Sequence, residues 1–199
     1  MFRKDRKGIG CMIVMIYGVE RSGKTTLIEQ LLNTYENVSC HVKRSVLMNS
    51  LALINFSKPY DGKLSKSELD FLYDESQRII FEMNKQYKYI FMDCHAGYYT
   101  EDKKIMDYRR DEHHLIGDLY FYLYTSANVI VNRMKETNGV KAIYNYQSSD
   151  IENYQELELK RIKKILEQKG KEVFIVGKYK NALSEVINVI KTVVEENLE

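Results

Sequence analysis

The sequence has no tryptophan and a single proline, Pro59, among 199 residues. One proline leaves no room for a proline-rich linker or recognition segment. Cysteine is scarce too: Cys11, Cys40 and Cys94, an odd count with no C-x-x-C spacing. That argues against a disulfide framework and against a cysteine-ligated zinc site. Cys11 and Cys94 fall in expected strands and read as small buried hydrophobes. The four histidines supply no metal site: His113 and His114 are adjacent and cannot share a helix face as an i, i+4 pair would. Charge of one sign is lacking as well. The formal net charge is +2, so no global field points to nucleic acid or a membrane, and any cationic function is local. The longest apolar run, residues 11–17, is far too short to span a bilayer. The basic start before it imitates a signal peptide, but the run leads straight into a glycine loop with no small-residue cleavage site. The expectation is a cytoplasmic protein.

What is present is alternation. Short apolar runs, β-branched or aromatic, occur at 12–17, 38–42, 89–92, 119–124 and 173–176. They are continuous rather than two-periodic, as strands buried on both faces are. Helical patterns separate them, at 23–35, 46–54, 65–87, 127–135, 149–168 and 181–196. Ser65-x-x-Glu68 and Ser149-x-x-Glu152 are expected capping boxes. The pattern predicts an α/β fold: a three-layer domain spanning 1–199, with a mostly parallel five-stranded sheet and helices on both faces. Two polar stretches, 96–107 and 137–148, have no regular period; long irregular loops of this kind are usually functional or mobile.

The chemistry begins at "YGVERSGKTT", residues 17–26. Gly18, Val19, Glu20, Arg21, Ser22, Gly23, Lys24 and Thr25 match G-x-x-x-x-G-K-[ST] in full. A loop that wraps an anion with inward N–H groups needs glycine where the backbone curves tightly. Lys24 supplies a mobile charge for the β- and γ-phosphates, and the Thr25 hydroxyl suits Mg²⁺. Thr26 follows at the start of a helix, whose N-terminal N–H groups and dipole favour phosphate. Nucleotide binding is thus expected at residues 18–26, with ATP and Mg²⁺ as ligands. A second landmark is Asp93, ending the apolar run "YKYIFMDCH". Ligands of doubly wound sheets collect at the carboxyl ends of the strands, so Asp93 faces the same crevice as Lys24. It is a candidate second metal partner beside Thr25, or the base for an acceptor hydroxyl.

"GVERSGKTT" and "FMDCHAG" resemble motifs of the nucleoside monophosphate kinases. The first is similar to the loop of a thymidylate kinase subclass that carries arginine where Arg21 stands. The second resembles the Asp-x-His strand end of archaeal-type adenylate kinases. The element order over about 11–195 fits both. The resemblance implies ATP-dependent phosphoryl transfer to a small acceptor, through a P-loop kinase fold with a mobile lid over about 133–149. Lid arginines stabilise the transferring phosphoryl in adenylate kinases. Here the lid offers only Arg133, with Lys135 and Lys141, and the resemblance implies that Arg21 does that work from the loop. Catalytic candidates are therefore Lys24, Arg21 and Asp93. The alternative for Arg21 is a solvent-exposed ion pair with Glu20 or another carboxylate.

Acceptor-binding candidates are Arg44 in the basic turn "HVKRS", Arg78, Arg109 and His95. Arg78 follows Glu75 at i+3, so a surface ion pair competes with that role. Arg109, like Arg110, sits among acidic residues. Neither subfamily's acceptor signature is complete: the turn after the second strand lacks the adenylate kinases' acidic residue, and "DCH" stands where thymidylate kinases carry Asp-Arg. The acceptor stays open between a nucleoside monophosphate, a nucleoside and another small metabolite. Tyr98, Tyr99, Tyr108, Tyr144 and Tyr146 would allow stacking on a base, and serve equally as core and surface aromatics. A GTPase switch is disfavoured, because no N-K-x-D occurs and Asp93 and Gly97 are four apart rather than three. A regulatory ATP binder is the remaining alternative. Nucleic acid is not an expected partner, and assembly into a homo-oligomer is left open.

Overall fold

The computed structural model describes residues 11–60, 64–99, 104–106, 111–136, 146–178 and 183–197. Arg109, Arg110, Tyr108, Lys141, Tyr144 and most of the expected lid lie outside them.

In chain order the elements are β1 (Met12–Tyr17), α1 (Lys24–Thr34), β2 (Ser39–Lys43), α2 (Arg44–Phe56), α3 (Lys66–Met83) and β3 (Tyr89–Cys94). There follow β4 (Tyr98–Tyr99), β5 (Ile105–Met106), a 3-10 turn (Asp111–His114), β6 (Leu119–Leu123), α4 (Ala127–Glu136), α5 (Ser148–Glu167), β7 (Phe174–Val176) and α6 (Leu183–Glu196). The main sheet has five strands in the order β2-β3-β1-β6-β7. All its pairings are parallel. The expected five-stranded sheet is therefore parallel throughout. The stretch expected to be irregular after β3 contains a small antiparallel pair, β4 with β5.

The strand runs lack a two-residue period because both faces of the sheet are covered. On β1, Ile13, Met15 and Tyr17 join one core with Ile80 of α3 and Leu159, Ile162 and Leu166 of α5. Met12, Val14 and Ile16 point the other way, into a core with Leu27, Ile28 and Leu31 of α1 and Val186, Ile190 and Val194 of α6. This alternation gives the three layers and puts β1 at the centre. A parallel strand is reached through a crossover, and α-helices follow β1, β2, β6 and β7, whereas β3 is followed by β4, β5 and the 3-10 turn.

The Ser65–Glu68 box forms as expected: the Glu68 N–H donates to Ser65 Oγ, and the Ser65 N–H donates to Glu68 Oε2. At α5 the cap is a correction. The helix begins at Ser148, and the Gln147 N–H donates to Asp150 Oδ2 at 3.1 Å. With Gln147 as the N-cap, Ser149 already lies inside the helix, and the Ser148 hydroxyl donates to Asn128 Oδ1 of α4. α2 likewise starts earlier than its periodicity implies, at Arg44 directly after β2. α3 ends earlier, at Met83.

Candidate active site

The loop between β1 and α1 is shaped by its glycines. Gly18 and Gly23 have φ of 150° and 102°. A Cβ on Gly18 would lie 2.8 Å from the Leu123 carbonyl oxygen, so the loop passes against the end of β6. Arg21 also has positive φ, at 65°. The loop is anchored from below by Val19, buried against Ala127 and Ile130 of α4 and Ile151 and Tyr154 of α5. From the side, the Thr125 hydroxyl donates to the Ser22 carbonyl at 2.8 Å, and the Thr125 N–H donates to Gln155 Oε1 at 3.0 Å. Thr125 and Gln155 were not anticipated from the sequence.

Lys24 and Asp93 do meet. The Lys24 ammonium lies 3.7 Å from Asp93 Oδ1, and Thr25 Oγ1 donates to Asp93 Oδ2 at 3.0 Å. Lys24 Nζ also donates to the carbonyls of Gly18 and Val19 at 2.6 and 3.0 Å. Burial pushes the Lys24 ammonium below its usual value, and the fields of Asp93, Glu158 and Glu20 oppose that shift. A buried cation that, among the described residues, meets backbone carbonyls and one neighbouring carboxylate is well suited to an anionic partner.

The residues fit a Mg-nucleotide on two counts. The Ser22 hydroxyl oxygen is buried with no hydrogen-bond partner among the described residues. It sits 3.0 Å from the position of a Gly18 Cβ, inside the curve of the loop. Thr25 and Asp93 present a hydroxyl and a carboxylate oxygen side by side, the hard oxygen donors Mg²⁺ prefers. Among the described residues no cluster of three or more His, Cys, Asp or Glu side chains could hold a metal by itself. Mg²⁺ does not need one, since it keeps waters and phosphate oxygens as ligands.

Arg21 is exposed, and its carbonyl accepts a hydrogen bond from Arg133 Nη1 of α4 at 3.0 Å. The same Arg133 nitrogen lies 3.2 Å from the position of a Gly23 Cβ. Two guanidinium groups thus belong to the loop region, one from the loop itself and one laid across its backbone.

The acceptor-side candidates separate. Arg44 is buried: it donates to the His113 carbonyl at 2.8 Å and to Ser76 Oγ at 3.4 Å, and lies 5.6 Å from the Tyr73 ring centre. Arg78 is 62% exposed and forks onto Glu75 with bonds of 2.9 and 2.6 Å, so the structure commits it to the surface ion pair. His95 is half-buried at the end of β3, with Nδ1 3.8 Å from Glu158 Oε1. Glu158 is fully buried and was missed. Its signal is that Ile151, Tyr154, Gln155, Glu158, Leu159 and Ile162 share one buried helical face, with a carboxylate and an amide on a stripe that is otherwise apolar or aromatic. Tyr146 lines a polar cavity of about 450 Å³ between α4 and the start of α5, with Asn128, Asn132 and Lys135.

No protein-family profile matches the sequence, and no curated protein matches it. Its fold does match solved structures. A shikimate kinase from Acinetobacter baumannii in complex with shikimate aligns over 94% of both chains, with a TM-score of 0.57 and 9% identity. A thymidylate kinase from Candida albicans aligns over 94% of this chain and 92% of its own, with a TM-score of 0.55 and 16% identity. A deoxyadenosine kinase from M. mycoides aligns over 93% of this chain and 100% of its own, with a TM-score of 0.51 and 11% identity. The chain therefore has the fold of the P-loop kinases.

Proposed function

We propose that this protein is an ATP-dependent phosphotransferase acting on a small acceptor, a nucleotide or another small molecule carrying a phosphate or hydroxyl. The observation that carries the reading is the convergence of Lys24, Thr25 and Asp93 at the carboxyl ends of β1 and β3. That is where a parallel sheet places its ligands. Kinase chemistry in the three proteins of like fold supports the same direction.

In this reading the loop amides of residues 18–25 cradle the phosphates, and Lys24 turns from the loop carbonyls onto the β- and γ-phosphates. Thr25 and Asp93 would hold Mg²⁺, and the ion would supply positive charge to offset the charge that develops on the phosphates. Arg21, with its planar fork of donors, contacts that phosphoryl from the loop. The acceptor lies on the side of β3 and α3. Positioning and charge stabilisation account for most of the catalysis of phosphoryl transfer, so few residues need to react covalently.

The test is calorimetric titration with ATP and Mg²⁺, paired with a coupled ADP-release assay against nucleoside monophosphates, nucleosides and small metabolites. Binding is expected in the native protein and lost in Lys24→Ala. Unchanged binding in that variant would remove the reading. Binding with no ADP release for any acceptor would favour a regulatory ATP-binding role.

A further inference from the structure

One peptide of the phosphate loop is held from outside the loop, through two side chains in series. Thr125, just beyond β6, donates from its hydroxyl to the Ser22 carbonyl at 2.8 Å, and its N–H donates to Gln155 Oε1 at 3.0 Å. Gln155 stands on a fixed part of α5. Its own carbonyl accepts from Tyr122 OH of β6 at 3.0 Å. Its neighbours Tyr154 and Glu158 bond to the Gly97 carbonyl and the Ala96 N–H, beyond Asp93, at 3.0 and 2.7 Å. The amide therefore reaches Thr125 from a turn of helix that is tied both to β6 and to the chain after β3.

An amide is an expensive choice at this position. Gln155 is 0% exposed and shares its buried face with Ile151, Leu159 and Ile162. Because the Thr125 N–H meets Oε1, Nε2 is directed elsewhere, and among the described residues it has no hydrogen-bond partner. A buried donor without a partner lowers stability, and a methionine would fill similar space without that penalty. What the amide oxygen adds is the acceptor that fixes the Thr125 backbone.

The peptide so held joins Ser22 to Gly23. It is trans, so its N–H points opposite to its carbonyl. Thr125 draws the carbonyl toward the end of β6, which turns the Gly23 N–H away from β6 and into the hollow of the loop. Gly23 has φ of 102°, and a glycine leaves the peptide before it free to turn over. Turned over, that peptide would show an oxygen to the phosphates in place of an N–H. Arg133 takes the preceding carbonyl, that of Arg21, so two successive loop peptides are set from outside.

We propose that Thr125 and Gln155 are positioning residues of the phosphate site: Gln155 sets the Thr125 backbone, and the Thr125 hydroxyl keeps the Gly23 N–H aimed at bound phosphate. This deepens the phosphotransferase reading and rests on it. Both residues act through the loop.

The experiment combines calorimetry with Mg-ATP and with inorganic tripolyphosphate, which lacks base and sugar, an NMR titration of the Gly23 amide, and urea unfolding. Thr125→Val, close in shape but without the hydroxyl, should weaken both ligands by about 2–10-fold, the worth of one hydrogen bond. Its Gly23 amide proton should move less on ATP addition than that of the native protein. Thr125→Ser, which restores the hydroxyl, should recover both. Gln155→Met should reproduce the loss, and the double variant should bind no more weakly than the weaker single variant, since the two act along one path. If Gln155→Met folds poorly, Gln155→Asn, which withdraws the oxygen by one methylene, should show the same loss. A lowered urea midpoint with native affinities and a native Gly23 response means a role in stability alone and overturns the assignment. So do losses that add in full, or a Thr125→Val protein that binds as the native one does. In each of these cases the phosphotransferase reading stands, provided that Lys24→Ala abolishes ATP binding. A native protein that binds neither ligand overturns both.

Discussion

The Thr25 hydroxyl donates to Asp93 Oδ2 across 3.0 Å, joining the first turn of α1 to the end of β3. The two residues are 68 positions apart in sequence, and the parallel pairing of β1 with β3 brings them together. If this pair holds the metal, Asp93→Asn should remove the part of ATP affinity that depends on Mg²⁺ and lower kcat by about 10–100-fold or more. Calorimetry with and without Mg²⁺ reads the first effect, and ADP release the second. An Asp93→Asn protein whose ATP affinity still rises with Mg²⁺ as in the native one contradicts the role.

Arg21 and Arg133 separate by what each contacts. The Arg21 side chain is exposed, and only its carbonyl is bound by Arg133. Arg21→Ala should lower kcat by at least about tenfold with ATP affinity nearly unchanged, the signature of contact made in the transition state. Arg133→Ala removes a brace on the loop backbone. Because the brace acts on the loop that carries Arg21, the two changes should be non-additive by about 0.5–3 kcal/mol in a double-mutant cycle of kcat/KM. Strict additivity would mean that the brace does not position the loop.

Gly18 and Gly170 both have positive φ, with different surroundings. An added Cβ at Gly18 meets the Leu123 carbonyl at 2.8 Å, whereas at Gly170, with φ of 62°, it meets nothing within 4 Å. Gly170→Ala should cost about 1–2 kcal/mol, the left-handed penalty alone. Gly18→Ala should cost more and should also weaken ATP binding, since the loop must move away from β6. Urea unfolding of both variants gives the ordering, and an equal cost would contradict the packing argument.

The cap of α3 should register in acid. Hydrogen bonds from the Ser65 backbone and side chain, with Lys58 nearby, hold the Glu68 carboxyl down at about 2 against an ordinary 4.5. A depressed folded value stabilises the protein above the unfolded one, and the contribution fades as pH falls through the folded value. The melting temperature of the native protein should exceed that of Glu68→Gln above about pH 5. The gap should close between 4.5 and about 2. Glu68 is half-buried but its partner Lys58 is exposed, so added salt should narrow the gap at neutral pH. A gap that persists unchanged to pH 2 would mean that the charge is not its source.

The phosphate loop was legible because its chemistry is local: two glycines, a lysine and a threonine at fixed spacing serve one anion. The strands were legible for a similar reason, since continuous apolar runs fit only a sheet covered on both sides. The α5 cap was misplaced by two residues because Gln147 and Asp150, a pair outside the Ser-x-x-Glu pattern, form the box. Glu158 escaped notice because its meaning depends on which face of α5 turns inward and what lies opposite. Arg44 was visible as a cation, but its engagement with His113 and Ser76 was not.

The sequence by itself determined the layered α/β architecture and the loop that meets phosphate, because periodicity and short-range spacing encode both. Only the tertiary structure decided which charges face one another: Asp93 against Thr25 and Lys24, Arg133 across the loop, Glu158 behind His95. Each of those pairs is drawn from elements distant in the chain. Their energies depend on separations of a few ångströms and on exclusion of water, neither of which is written in the order of residues.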